Sequence, residues 1–441
     1  MVRRGEALEG VTAFLATAVA GLVLVVPLSF GRSCNCTPYQ VNRLVLNAPR
    51  EAAIGVLVAA VTAVVAVSLA RPRTAWSIAL AATLLLVGTR TLEEHSASPD
   101  VLTTTAYLDA IGSGILLGAT GVAVLGRRVP ATGFVLGGIG TFLVITLSQA
   151  SGLFGNPHRA TSEPRVWSML EAQPVWLLGA VACLIGASLL VTRQRLTPET
   201  IYPELPLTPV VAAVVLVMTQ LALVSWRHRQ GDDGSALTVT ALCTLLAATV
   251  AAWLLPRRDG IAIYLAVALS ATGSAIGTGP RPGWSVLLLL GLLLLGHMAG
   301  TRSHNPALGA GTLPVIAVLA VVVPAAAAPT LATAALAIVA GYCSAAFQPR
   351  TAGSILAIAV LWCPSTVAPV RTESFDWTMI PPHHLGDWGT ITVTSGAGWA
   401  AFAIAIGCAI GVVIRAIPRP EQPQPDKVRP TPPRYGRTAT G

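Results

Sequence analysis

Long apolar runs, separated by short polar stretches, fill the chain as far as Ile417. Each run is roughly 17 to 25 residues long, the length that an α-helix needs to cross the hydrocarbon core of a membrane. The pattern predicts an all-α integral membrane protein with about fourteen transmembrane helices. The predicted spans are 10–30, 52–70, 76–92, 104–126, 131–149, 175–191, 209–226, 236–255, 261–278, 285–300, 307–327, 330–347, 354–370 and 399–417.

The stretch 107–126, YLDAIGSGILLGATGVAVLG, combines an apolar helix with a row of glycines and an acid. On a helical projection Gly114, Gly118 and Gly121 fall within about 60° of one another. The polar residues on roughly the opposite side are Asp109, Ser113 and Thr120. Small residues let two membrane helices approach closely, and an ionisable group in lipid needs a partner or a water-filled cavity. This helix is predicted to line a transport pathway, or to be a tightly packed structural helix.

Composition supports the membrane assignment: 54% of the residues are hydrophobic, 11% are charged, and the mean hydropathy is +0.70. Soluble domains carry about 25% charged residues. No phosphate loop of the form GxxxxGK[ST] and no GxGxxG after a strand pattern occurs, so we expect no cofactor and no nucleotide-driven motor on this chain. The net charge of +9 indicates topology and contact with membrane lipids rather than nucleic acid.

Basic residues predict the orientation, because connections rich in Arg and Lys stay on the cytoplasmic side. With Met1 inside, the cytoplasmic segments collect Arg3, Arg4, Arg71, Arg73, Arg127, Arg128, Arg193, Arg195, Arg257, Arg258, Arg302, Arg350 and the tail from Arg415 onward. We therefore expect a multi-pass protein of the bacterial inner membrane with both termini in the cytoplasm. The sequence Arg227-His228-Arg229 is the exception, since it falls on the predicted outer side.

Recurring basic connections suggest an internal repeat. The connection 70–74 resembles 256–260, and 127–133 resembles 303–309. We predict a six-helix bundle over 1–191, a cytoplasmic linker over 192–208, and a second six-helix bundle over 209–347. Two additional helices with an outer loop would occupy 348–417, and a disordered basic, Pro-rich tail would occupy 418–441.

This arrangement resembles the major facilitator superfamily, whose two six-helix bundles enclose a central substrate cavity and some of whose members have fourteen helices. The segment 110–115 with Gly118 looks like the glycine-bearing fourth helix of that family. Gly133, Gly137, Gly138 and Gly140 look like the glycine-rich fifth helix of its exporters. The connection 70–75 departs from the family pattern, because it has neither the acidic residue nor the glycines of the family's loop at that place.

Three polar residues inside or near the spans are further pathway candidates or structural contacts. Arg90 ends the third span and Asp109 begins the fourth, so the two are predicted to pair at similar depth. Such a pair could gate a carrier or clasp two helices. His297 lies within an apolar run, where it could take part in proton coupling or form a packing hydrogen bond.

The longest predicted outer loop, 371–398, holds the densest group of acid–base side chains. They are Asp376, His383, His384 and Asp387. Imidazole and carboxylate groups suit metal binding or acid–base chemistry, but their spacing matches no zinc pattern, so we expect no resident metal. The alternative is an amphipathic cap whose tryptophans lie at the membrane interface.

Three functions fit these features. The first is a secondary, proton-coupled transporter of a small or lipophilic molecule that the sequence does not identify. The second is a non-catalytic membrane subunit or scaffold of a cell-envelope assembly, with a membrane protein partner. The third is a membrane-embedded enzyme that acts on lipid-linked substrates through the outer loop. The sequence favours transport, with no catalytic residue assigned.

Overall fold

A computed structural model of the chain describes residues 2–25, 38–69, 71–95, 99–148, 175–193, 207–230, 234–276, 285–303, 305–322, 328–348, 350–367 and 395–417. These residues form fourteen α-helices and one short 3-10 helix, Ser344–Phe347, with no β-strand among them. The α-helices are α1 (Val2–Val25), α2 (Pro38–Ser68), α3 (Pro72–His95), α4 (Pro99–Ala123), α5 (Arg128–Ser148), α6 (Val175–Arg193), α7 (Thr208–Gln230), α8 (Gly234–Leu254), α9 (Arg257–Ala275), α10 (Ser285–Ser303), α11 (Pro306–Val322), α12 (Ala328–Cys343), α13 (Ala352–Val360) and α14 (Ser395–Ala416). The predicted all-α fold is confirmed.

Ten of the described helices are long and apolar enough to cross a membrane. Their outward sides are apolar, as α8 illustrates with Leu242, Leu246, Val250 and Trp253, which recur at helical spacing and are all exposed. An apolar stripe of this kind would be unfavourable in water, but lipid tails solvate it without cost. The chain is therefore a polytopic α-helical membrane protein.

The helix contacts repeat after a shift of eight helices. In the first set α1 packs against α4, α5 and α6, α2 packs against α4, and α3 packs against α4 and α6. In the second set α9 packs against α12, α13 and α14, α10 packs against α12, and α11 packs against α12 and α14. The two sets meet where α2 touches α13 and α5 touches α10. Each helix of the first set thus has a counterpart at the equivalent place in the second.

Helices α7 and α8 lie between these two sets in the chain and pack together beside them. Helix α7 contacts α2 and α13, and α8 contacts α9 and α14. Helices α7 and α8 thus contact members of both sets, while the predicted division into bundles over 1–191 and 209–347 stays a prediction. Most of the predicted linker 192–208 and the whole predicted tail 418–441 lie outside the described residues.

A buried acid near the start of the leading helix marks each set. Glu9 on α1 is bound by the guanidinium of Arg127 and by the hydroxyl of Thr192, which lies 3.1 Å from its Oε1. Asp259 on α9 accepts a hydrogen bond of 2.5 Å from the hydroxyl of Thr351. Arg127 and Thr351 occupy the connections between the fourth and fifth helices of their sets. The two acids therefore bind equivalent connections of their sets at the same end of the bundle. We call this end the N-terminal face, because α1 begins there.

The thirteenth predicted span, 354–370, is not a continuous helix in the described residues. Helix α13 ends at Val360, and 361–367 form turns and irregular backbone. Pro364 accounts for this end, because its ring clashes with the carbonyl at position i−4, which belongs to Val360, and because it lacks an N–H. Helix α13 is buried along its whole length and touches α2, α4, α5, α7 and α9. Helix α13 is therefore a short half-helix of the second set that packs against helices of both sets.

Candidate functional site: a buried acidic pair beside Arg90

Close packing of α4 on α2 sets the position of Asp109. A methyl group added at Gly114 would overlap the carbonyl oxygen of Gly55, and one added at Gly118 would lie 2.5 Å from the carbonyl oxygen of Ala59. Only glycine permits this approach of two helix backbones. The predicted packing face of α4 is confirmed, and it leaves the opposite side of α4 to face α3.

Asp109 is bound by two residues from the last turns of α3. The hydroxyl of Thr89 donates a hydrogen bond to Oδ1 of Asp109, and an N–H group of Arg90 lies 3.8 Å from Oδ2. The side chains of Arg90 and Asp109 are only 9% and 3% exposed. The ion pair predicted between the third and fourth spans is therefore present, and it is nearly closed to solvent.

Glu51 adds a second acid to this pair from the first turns of the membrane-spanning part of α2. It is 7% exposed, and its Oε1 has no hydrogen-bond partner among the described residues. Gly55, one turn further along α2, packs on the carbonyl oxygen of Ala110, which brings the Glu51 side of α2 against the start of α4. We call Glu51, Thr89, Arg90 and Asp109 the acidic-pair cluster.

Glu51 is not among the predicted site residues, because the predicted second span begins only at residue 52. The available signal was helical spacing: Glu51, Gly55 and Ala59 recur every four residues and therefore share one face of α2. Gly55 and Ala59 pack against α4, and Glu51 lies on the same face of α2. Glu51 is therefore on the side of α2 that is turned toward α4.

The charges of the acidic-pair cluster explain what it can do chemically. It holds two carboxyl groups and one guanidinium, and a buried group of charges is least costly when its net charge is zero. Neutrality requires one carboxyl to carry a proton while Arg90 stays charged. Proximity of two carboxylates in a low-dielectric site favours such sharing of one proton. The acidic-pair cluster therefore holds one more carboxyl group than its single guanidinium can neutralise.

The other predicted pathway residues of α4 are buried away from this charge. Ser113 is fully buried and donates its hydrogen bond to the carbonyl of Ala110, 3.0 Å away on its own helix. Thr120 is also fully buried, and its hydroxyl has no hydrogen-bond partner among the described residues. Neither residue shares a hydrogen bond with Asp109 in the described part of the chain, and their place in a transport pathway stays a prediction.

His297 lies toward the opposite end of the bundle. Its Nδ1 is 2.5 Å from the hydroxyl oxygen of Ser344, in the 3-10 helix that follows α12. Ser344 donates its single hydrogen to the carbonyl of Gly341, also at 2.5 Å, so Nδ1 of His297 carries the hydrogen and donates to Ser344. Because α10 ends at the N-terminal face whereas α4 begins at the other face, the structure does not bring His297 to Asp109.

The outer-loop candidates Asp376, His383, His384 and Asp387 lie outside the described residues. Among the residues that are described, no three His, Cys, Asp or Glu side chains are grouped closely enough to share a metal ion. In the described part of the chain, ion pairs lie at both ends of the first set of helices: Arg127 with Glu9 at the N-terminal face, and Arg90 with Asp109 toward the opposite face.

Comparison with known proteins relates the chain to one kind of fold. No protein-family model matches the chain, and no curated protein sequence matches it. The crystal structure of an auto-inhibited POT family peptide transporter superposes with a TM-score of 0.50 and 12% sequence identity, covering 96% of this chain and 99% of that chain. At this identity the similarity concerns the fold alone. The chain thus shares, over nearly its whole length, the helical fold of a polytopic membrane transporter.

Proposed function

We propose that the chain is a secondary transporter driven by a proton gradient, and that the acidic-pair cluster binds the coupled proton. The observation that carries the proposal is the buried group of Glu51, Arg90 and Asp109, which holds one more acid than base. An intramembrane ionisable residue is costly, and such residues are typically retained for transport pathways or proton relays.

The cluster joins three helices, so the binding or loss of a proton there would change the forces that hold these helices together. With one carboxyl protonated, α2, α3 and α4 meet through a neutral group. Loss of the proton leaves two carboxylates and one guanidinium, and their repulsion favours separation of α2 from α4 or entry of water. Helix α2 also touches α13, which belongs to the second set, and α7, which lies between the two sets in the chain. Proton release would therefore bias the packing between the two sets of helices.

The substrate class is not identified, and the structural similarity suggests only which compounds to test first. One structurally similar protein is a peptide transporter, so peptides are the first compounds to test, followed by lipophilic cations and amphiphiles. We also propose, from the distribution of basic residues, that the N-terminal face is cytoplasmic. A reporter fused before α1 that is active only in the cytoplasm tests this orientation.

The test of function uses purified full-length protein in liposomes loaded with a pH-sensitive dye. With an imposed membrane potential, a transported compound should drive proton movement in the wild type. Asp109→Asn and Glu51→Gln should each reduce that movement at least tenfold while inserting and folding normally. Glu6→Gln, an acid-to-amide change on α1 away from the cluster, is the matched control and should behave as wild type. Equal proton movement in all four proteins would contradict the proposal.

A further inference from the structure

The unwound segment after α13 ends beside a small polar cavity in the second half of the protein. Beyond Val360, the N–H groups of Leu361, Trp362 and Cys363 bond to carbonyls three residues back, so this turn is tighter than an α-helix. Pro364 then donates no N–H at all. The C-terminal end of a half-helix carries partial negative charge and unpaired carbonyls, which attract cations.

Five polar side chains from four places in the fold line this cavity. They are Gln220 on α7, Thr244 on α8, Ser270 on α9, and Ser365 and Thr366 on the unwound segment. The hydroxyl oxygens of Thr244 and Thr366 are 3.0 Å apart and hydrogen-bonded to each other. Every polar lining side chain presents a neutral oxygen, and no charged residue is part of the lining.

Gln220 shows that this polar lining is incompletely satisfied. The residue is 7% exposed, and its Oε1 is buried without a hydrogen-bond partner among the described residues. An unsatisfied buried acceptor costs about 1–3 kcal/mol. An acceptor oxygen placed beside hydroxyl oxygens and the carbonyl end of a half-helix is suited to a cation or to a hydrogen-bond donor.

The neighbouring charge limits which cation could bind. Arg227, which is 1% exposed, donates to the main-chain carbonyl of Thr366, so a positive charge already lies against the unwound segment. Divalent Ca²⁺ and Mg²⁺ take carboxylate ligands, and the lining has none. Repulsion from Arg227 is twice as large for a divalent ion as for a monovalent one, and no carboxylate in the lining offsets it, so the lining is better suited to a monovalent ion.

We propose that Gln220, Thr244, Ser270, Ser365 and Thr366 form a binding site for a monovalent metal cation, with Na⁺ as the probe. Half-helix ends and unwound carbonyls coordinate Na⁺ in broken-helix transporters of other folds. The proposal does not depend on the acidic-pair cluster, because the two sites share no residue and lie on different helices.

The experiment measures the thermal unfolding midpoint of the purified full-length protein in sodium, potassium and choline chloride at equal ionic strength. A ligand that binds only the folded state raises the midpoint with its concentration. Sodium should raise the wild-type midpoint above that in choline. Gln220→Leu and Thr244→Val should each lose the sodium-specific rise.

Thr249→Val is the matched control, because Thr249 lies on the same helix and its hydroxyl bonds at 2.7 Å to the carbonyl of Leu245 outside the cavity. It should keep the full sodium response. If Gln220→Leu does not fold, Thr244→Val alone decides the question. The same midpoint in all three salts for the wild type would show that water satisfies Gln220 and would overturn the proposal. A sodium response retained in Thr244→Val would overturn it as well.

Discussion

The guanidinium of Arg90 lies 3.8 Å from the carboxylate of Asp109, and the pair joins the last turns of α3 to the first half of α4. Glu51 adds a second buried acid from the side of α2 that packs against α4. A simple clasp between two helices needs one acid and one base. The extra acid is what makes this group a candidate for binding a proton rather than only for holding two helices together.

Arg90→Gln should shift the pH dependence of proton-coupled activity toward higher pH. Without the guanidinium, two neighbouring carboxyl groups lose the charge that stabilises their ionised forms, so a proton leaves only at higher pH. The measurement is the pH profile of proton movement in liposomes. The control is Arg50→Gln, which removes an exposed charge next to Glu51 in sequence. A profile unchanged in Arg90→Gln would mean that Arg90 does not act on the cluster.

Gly118→Ala should destabilise the protein, by about 1–3 kcal/mol, because the added methyl would overlap the backbone of α2. Gly291→Ala on α10 is the comparison: no atom lies within 4 Å of a methyl added there. Because alanine is the better helix former, Gly291→Ala should be neutral or stabilising. Thermal unfolding of both variants in one detergent measures the difference, and equal midpoints would argue against tight α2–α4 packing.

Glu9→Gln should lower stability without changing the pH profile of transport. Glu9 is fully buried and is bound by Arg127 and Thr192, so its loss leaves a partly buried guanidinium without its counter-charge, at a cost on the order of 3 kcal/mol. A double-mutant cycle with Arg127→Gln isolates the coupling between the two residues. Additive effects of the two changes would show that the ion pair contributes nothing.

Pro364→Ala should remove the sodium-dependent rise in the unfolding midpoint. Alanine restores an N–H and removes the clash with the carbonyl of Val360, so α13 can continue beyond its present end. A continued helix would carry Ser365 and Thr366 away from Thr244. Thr366→Val removes the hydrogen bond between Thr244 and Thr366 without changing Pro364. It should therefore abolish the sodium-dependent rise in the unfolding midpoint as well. A sodium response that survives Pro364→Ala would show that the helix break is not needed for the site.

The helical fold could be predicted from sequence because its cause is local. Each membrane span needs a long apolar run, and such runs are visible without knowledge of the partner helices. Gly114 and Gly118 likewise revealed a packing face through their spacing. The prediction failed at α13. The apolar run 354–370 indicated a full span, but the helix ends at Val360, before Pro364.

The grouping of the helices and the residues of the charged site could be recognised only from three-dimensional contacts. The repetition of the contacts of α1–α6 by those of α9–α14 depends on residues that are far apart in sequence. Arg227 looked like an exposed charge on the wrong side of the membrane, yet it is buried against the carbonyl of Thr366. Glu51 looked like a loop residue, yet it is buried on the side of α2 that packs against α4. In each case the partner is distant in sequence, so no local pattern identifies it.

The most direct test of the account is the infrared spectrum of the carboxyl groups in the purified protein. A protonated carboxyl has a carbonyl-stretch band separate from those of carboxylate and amide groups, and the band can be followed through a pH titration. The account predicts a titrating band in the wild type that is lost or shifted in both Glu51→Gln and Asp109→Asn and is retained in Glu6→Gln. A band that is absent from the wild type, or one that persists unchanged in both cluster variants, would contradict the claim that Glu51 and Asp109 share a proton.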